Sequence, residues 1–393
     1  MTGPTYTSFE MIERLVAFDT TSHTSNLELI EFVSTYLSSY GVESQRTYND
    51  SRKKANLFAT IGPGIEGGVV LSAHTDVVPV DGQSWDSDPF SVTINNDKLF
   101  GRGTADMKSF PAIFLAMLPQ FLEANLRRPV HLALSYDEEV GCLGAPTLIA
   151  LLRKLSISPN AVVIGEPTEM KLINRHKGVF RFRTNVTGLE AHSAYPDHGV
   201  NAIFHAADII HFLHGLSREL REQRENLVTF DPPYHTIQVG LLNGGTAPNI
   251  IPLQCVFDWE VRLMPEGDIN SLVLHPLEKH IAKEILPQMK KTSALANITT
   301  ELLAQVPGLA PTQSPTVENL GRELSGTNSP AGSISFGTEA GLFQDAGFTT
   351  FICGPGSILQ AHKPNEYIEI QQILDCEMFM RRLINTLTRG QPV

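Results

Sequence analysis

Four short runs constrain most strongly what this chain can fold into: ANLFATIG, GGVVLSAH, VHLALSYDEE and NAVVIGEP. Each reads as a strand. The last three are apolar without alternation, as strands are when both faces of a parallel sheet are covered. KLFGRGTADM is a shorter strand leading into a loop. Segments with helical spacing lie between these runs, from Ser109 to Leu122 and from Ala145 to Leu155. The alternation predicts an α/β domain whose mixed, mostly parallel sheet is flanked by helices. Residues 9–40 add a helical stretch carrying Met11, Ile12, Leu15 and Val16, then Leu27, Ile30, Val33 and Leu37. Gly41 is its stop signal.

Near residue 178 the pattern changes. GVFRFRTNVTG alternates apolar and polar residues, as a half-exposed antiparallel strand does. A helix over Asn201 to Leu216 follows, then the strand-like HTIQVGLLNGG and LQCVFDWEVRLMP, then a helix over about 269–286. This predicts an inserted α+β two-layer sandwich over 179–305. From 306 the α/β character returns, with SPTVENLGREL as helix, TTFICGPG as strand and a closing helix over 371–388. Residues 1–178 and 306–393 then form the main domain. A chain of 393 residues suits two domains.

With 42% hydrophobic and 18% charged residues the chain can bury an ordinary globular core. Its net charge of −12 argues against nucleic acid and anionic membranes as partners, since both need a positive face. The start, MTGPTYTSFEMIERLVAF, lacks a basic segment followed by an apolar one, and no apolar run approaches the roughly 18 residues of a membrane span. Cys142, Cys255, Cys353 and Cys376 are far apart and read as reduced thiols. A cytoplasmic location is expected.

The histidines and acids fall at the C-terminal ends of the buried strands, where open α/β sheets place their ligand sites. VVLSAHTDVVP puts His74 and Asp76 two apart on an extended run, so they face the same way. One can bind a metal while the other steadies it. Taken alone the pair is a weak signal, and a strand-end histidine bonded to its neighbour is the competing reading. GRGTADMK supplies Asp106 in a loop where Gly101 and Gly103 allow a sharp turn; a helix N-cap is the competing reading. SYDEEVG brings together Asp137, Glu138 and Glu139, three acids at the end of an apolar strand. A cation would neutralise them, or the turn is simply exposed. IGEPTEM supplies Glu166, and GPGSILQAHKPNEY supplies His362. Two histidines and a set of carboxylates without cysteine match Zn²⁺, Co²⁺ or Mn²⁺. The Glu138–Glu139 pair offers one ligand and one general base, and a shared Asp106 gives each ion three ligands and an open position able to acidify a water.

SAHTDVVP, GRGTADMK, DEEVG, IGEPT and GPGSILQAH, in that order, resemble the M20 family of co-catalytic metallohydrolases over nearly the whole chain. GEPT, RHKG, GVNAI, GTEAGLFQ and GPGSILQAHKPNEY most resemble its acetylornithine deacetylase branch. The resemblance implies a zinc-exopeptidase-like catalytic domain with an inserted lid and dimerisation domain, and two divalent ions, zinc or cobalt, with manganese as an alternative. It implies that His74, Asp106 and Glu166 hold one ion and that Asp106, Glu139 and His362 hold the other. Glu138 would be the general base and Asp76 would orient His74. His192, in AHSAYPDHGVNA, would donate to the developing oxyanion across a homodimer; a solvated loop residue is its other reading. Lys177, Asn249 and Arg262 would bind the substrate carboxylate, although Lys177 stands where some relatives carry arginine. Arg262 could instead be a salt-bridged strand residue. Thr338 and Glu339 would contact substrate, Glu339 through an ammonium, or would cap a helix. The implied reaction is hydrolysis of an N-acyl amino acid, N-acetylornithine to ornithine and acetate in arginine biosynthesis. A desuccinylase, an acetylcitrulline deacetylase, an aminoacylase, a dipeptidase or a non-catalytic metal-binding homologue are the other readings.

Overall fold

A computed structural model describes residues 3–222, 230–311 and 314–389. The chain divides into two compact units. One comprises Met1–Arg175, Pro311–Gly332 and Thr338–Val393; the other comprises His176–Ala310 and Ser333–Gly337.

In the first unit, strands Ser44–Tyr48, Ala55–Ile61, Val130–Ser135, Val69–His74, Ala161–Pro167 and Thr350–Gly354 lie side by side in that order. The last four run parallel to one another, and the first two are antiparallel. Every residue of Val69–His74, Val130–Ser135 and Ala161–Pro167 is buried, which is why these strands carry no polar alternation. His74 pairs with Ser135 in register, so the turns that leave both strands emerge together.

The helices complete this core. Thr7 accepts the Glu10 amide while Glu10 accepts the Thr7 amide, a capping box that starts Ser8–Val16. A second helix spans Leu27–Ser39, and Gly41 follows at φ +77°. The helix expected over 109–122 is broken. It runs Ser109–Ala116, and a new segment, Leu118–Glu123, carries Pro119 in its first turn. Proline has no amide to donate and its ring crowds the carbonyl four residues back, so the first helix ends there. Phe121 is still fully buried, worth about 1.5–3 kcal/mol of apolar transfer.

The second unit is a four-stranded antiparallel sheet in the order Thr236–Gly244, Gln254–Leu263, Gly178–Thr187, Asn297–Val306. Phe182 and Trp259, cross-strand partners, stack at 4.4 Å between ring centroids. Asn297–Val306 escaped the sequence reading because most of its side chains are exposed and its alternation is weak. The expected helix Asn201–Leu216 continues to Glu222, since Leu220 extends the buried stripe of Ile209 and Leu213. The helix expected over 269–286 runs instead in pieces from Asn270 to Thr292, with π turns at Asn270–Leu274 and Ile281–Ile285. Pro276 and Pro287 each open a new piece. Among the described residues no helix is long and apolar enough to cross a membrane, and the four cysteines are free and buried.

Candidate active site

Parallel strands deliver most of the site. Val69–His74 ends on His74, Val130–Ser135 leads into Glu138 and Glu139, and Ala161–Pro167 carries Glu166 near its end. Asp106 stands in the turn before helix Ser109–Ala116, and His362 in the loop beyond Thr350–Gly354.

His74 is buried at 2% exposure. Its Nε2 lies 3.1 Å from Asp106 Oδ1 and 3.8 Å from Glu166 Oε1. His362 Nε2 lies 3.3 Å from Asp106 Oδ2 and 3.1 Å from Glu139 Oε2. The two oxygens of Asp106 therefore serve two histidines on opposite sides, as a bridging carboxylate requires. Among the described residues, His74, Asp106 and Glu139 form one group with ligand atoms within 4.8 Å of one another, and His74, Glu138 and Glu166 form another. Glu138 forms no ion pair with either histidine among the described residues.

The charges are unbalanced. Burial pushes Glu138 and Glu166 well above the usual carboxylate range, and neighbouring carboxylates, Asp106 among them, add to it. Burial and Asp106 also raise Glu139. Burial opposes a charged His74, but Asp106 and Asp76 hold the ring well above its ordinary pKa. Hydrogen bonds to Asp106 and Glu139 raise His362 to about 10. Four packed carboxylates facing two histidines carry more negative charge than the protein compensates. Nitrogen and oxygen donors in this arrangement fit divalent cations of the zinc, cobalt or manganese type.

The surroundings refine Asp76. The His74 Nδ1 partner is the Asp76 carbonyl, at 2.9 Å, and the carboxylate is more distant, at 3.6 Å. That carboxylate accepts the Glu138 amide at 3.0 Å, the Glu139 amide at 3.3 Å and the Ser22 hydroxyl at 2.7 Å. Asp76 therefore orients the acid pair as much as the histidine. Asp137 turns away at φ +56° and receives Lys54 Nζ, which also donates to the Ser22 carbonyl. Lys54 and Ser22 carry no sequence mark, because their roles come from strands and loops distant in the chain.

The remaining expected residues fall differently. Thr338 is buried and its hydroxyl accepts the Ala340 amide at 3.0 Å, at the start of helix Ala340–Asp345. Glu339 is buried at 1% exposure, and burial raises it to about 7. Lys177 is also buried, its Nζ donating to the carbonyls of Pro232 and Tyr234 at 2.6 and 2.7 Å. Burial lowers it to about 8. Those two bonds join it to the backbone of its own unit and leave one of its three donors for a further partner. Arg262 donates through Nε and Nη2 to Glu260 at 2.9 and 3.3 Å, as the salt-bridged reading allowed. His192 and Asn249 are exposed on adjoining segments of the second unit. The Ser193 amide donates to the Asn249 carbonyl at 3.1 Å, and His192 Nδ1 accepts the Ala194 amide at 3.1 Å.

The mixed sheet and its strand-end cluster define an α/β fold with a candidate metal-binding constellation, and comparison with known proteins makes it that of a hydrolase. The model of Peptidase family M20/M25/M40 matches residues 70–386, and the chain belongs to that family. It is 34% identical over 362 residues to acetylornithine deacetylase of Buchnera aphidicola subsp. Acyrthosiphon pisum (strain Tuc7), covering 92% of this chain and 91% of that protein. The enzyme of the same name from Pasteurella multocida (strain Pm70) is 34% identical over 367 residues, covering 93% and 92%. The fold matches an M20 family metallo-carboxypeptidase from Sulfolobus solfataricus with a TM-score of 0.75 at 18% identity, over 97% of this chain and 99% of that one. It also matches a dinuclear metal-binding M20 peptidase of Bacillus subtilis with a TM-score of 0.67 at 15% identity, over 98% of each chain.

Proposed function

We propose that this chain is a two-metal amide hydrolase that converts N-acetylornithine to ornithine and acetate, acting in arginine biosynthesis in the cytoplasm. The observation carrying the reading is Asp106, whose two oxygens face His74 on one side and His362 on the other. His74, Asp106 and Glu166 would hold one ion, and Asp106, Glu139 and His362 the second, zinc or cobalt being favoured over manganese. Ions bound there supply Lewis-acid polarisation of the amide carbonyl and acidify a water.

The chain's own residues do the rest. Glu138 takes the proton from the attacking water and delivers it to the leaving amine. Its amide is held by Asp76, so its backbone is fixed while its carboxylate lies near His74 without an ion pair to either histidine. His192, presented by a partner copy in a homodimer, donates to the developing oxyanion. Asn249 contributes to substrate binding from the same surface, and Glu339 answers a substrate ammonium from within the first unit. The acetylornithine assignment rests on the similarity of the whole chain to enzymes of that name.

A panel of acetyl-, succinyl- and dipeptide substrates assayed with Zn²⁺ and Co²⁺ tests the specificity. N-acetylornithine is expected to give the highest kcat/KM; preference for a succinyl substrate or a dipeptide reassigns the activity within the family. His192→Ala is expected to lower kcat by about 10²–10³-fold with metal content unchanged. A kcat within threefold of the parent removes His192 from the reaction.

A further inference from the structure

The AHKPNEY segment contributes His362 to the reading above, but its glutamate has no part in it. Glu366 is buried at 1% exposure and reaches into the loop that carries Asp106. Its Oε1 accepts the amides of Gly103, Ala105 and Asp106 at 3.0, 2.8 and 3.0 Å. Its Oε2 accepts Arg102 Nη1 at 2.6 Å, and its carbonyl accepts the Gly101 amide at 2.9 Å. The strand pair behind it sets this register, with Tyr367 opposite Phe100 and Ile368 opposite Leu99. Where those strands part, one chain runs into the Asp106 turn and the other leads back to His362.

Arg102 closes the circuit. It is equally buried, and its Nη2 donates to Gln83 Oε1 at 2.6 Å. Gln83 Nε2 donates to the His362 carbonyl at 3.0 Å. The path therefore runs from the Asp106 amide through Glu366, Arg102 and Gln83 to the backbone of His362. Both ends are residues that face the same carboxylate cluster, His362 Nε2 being 3.3 Å from Asp106 Oδ2.

A buried glutamate–arginine pair often does no more than hold a fold. Here three of the four donors to the Glu366 carboxylate are amides of the turn that ends in Asp106. That turn contains Gly103 at φ +89°, a conformation with little stiffness of its own. His74 and Glu166, by contrast, are held by strands of the central sheet. Loop-borne ligands need outside support to keep the geometry a metal demands, and partners of ligands commonly control affinity by 10–100-fold.

We infer that Glu366 is a positioning residue: with Arg102 and Gln83 it sets the spacing of Asp106 and His362 and so governs binding of the second divalent ion. The inference rests on the two-metal reading proposed above. Its test is Co²⁺ titration of the metal-free protein, followed by calorimetry and visible absorption, for the parent, Glu366→Ala and Gln83→Ala. The second variant is included because Glu366→Ala leaves the buried Arg102 without its carboxylate partner, whereas Gln83→Ala keeps that ion pair and breaks the arm to His362, together with the Gln83 bonds to Arg102 Nη2 and Trp85 Nε1. Glu366→Ala is expected to weaken the second ion by about 10–100-fold and the first, which shares Asp106 but keeps two strand-held ligands, by several-fold less, and to shift the absorption that grows in with the second ion. Gln83→Ala is expected to move the same ratio in the same direction, and it decides alone if Glu366→Ala does not fold. An unchanged ratio of the two dissociation constants overturns the inference even if melting temperatures fall. So does equal weakening of both ions. Uptake of fewer than two ions by the parent overturns the two-metal reading, and this inference with it.

Discussion

Glu138→Gln is expected to lower kcat by about 10²–10⁴-fold, the usual contribution of a positioned acid–base group, with two ions still bound and KM within a few-fold of the parent. Glutamine keeps the shape of the side chain and the hydrogen bond that the backbone amide of residue 138 donates to the Asp76 carboxylate. The lost charge is one that burial already disfavours, with Glu139, Glu339 and Asp106 adding to the pressure. Folding is therefore expected to be unimpaired, and the melting temperature at or above that of the parent. Metal content by elemental analysis and steady-state kinetics on the same sample separate proton transfer from metal loss. A metal-loaded variant with kcat within threefold of the parent would exclude Glu138 as the base. A variant that loses an ion would make it a ligand instead, as the grouping of Glu138 with His74 and Glu166 permits.

The second large effect concerns Asp106. Asp106→Asn removes one of the two oxygens that face His74 and His362, and with it the charge that both histidines share. Loss of an outer partner costs about 10–100-fold in metal affinity or activity, so loss of the shared ligand is expected to exceed 100-fold in kcat/KM. Stoichiometry is expected to fall from two ions to one or fewer. Metal bound only by the folded state raises stability by about 2.7 kcal/mol at a hundredfold excess over Kd, so saturating Zn²⁺ should raise the parent's melting temperature clearly and the variant's much less. Equal metal-induced shifts in parent and variant would show that Asp106 does not bridge.

Much of this was legible beforehand because it depends on local pattern. Runs of consecutive apolar residues mark strands covered on both faces, and VVLSAH, VHLALS and AVVIGEP form them. A residue at the end of such a strand stands at the sheet's C-terminal edge, so His74, Glu138, Glu139 and Glu166 could be grouped from their positions alone. Helix limits were harder. Pro119, Pro276 and Pro287 interrupt runs whose apolar periodicity continues through them, and periodicity registers burial, not the missing amide.

Lys177 and Glu366 show where sequence pattern stops. Lys177 stands in a motif that suggests a carboxylate contact, yet its ammonium is buried and bonded to two carbonyls more than fifty residues away. Glu366 looks like an ordinary acid in a polar loop, yet it organises a turn some 260 residues distant. Side-chain identity supplies the donor or acceptor, and the choice of partner depends on which loops the sheet brings together.

The sequence by itself determined the α/β class and the candidate ligands, because apolar runs and the chemistry of histidine and carboxylate are properties of adjacent residues. The tertiary structure alone decided how those groups are held. It turned the two oxygens of Asp106 toward different histidines, placed the Asp76 carboxylate on the Glu138 and Glu139 amides, and carried the Glu366 brace across to the Asp106 turn. Those relations depend on hydrogen bonds a few ångströms long between segments far apart in the chain, and they exist only once the sheet has set the loops side by side.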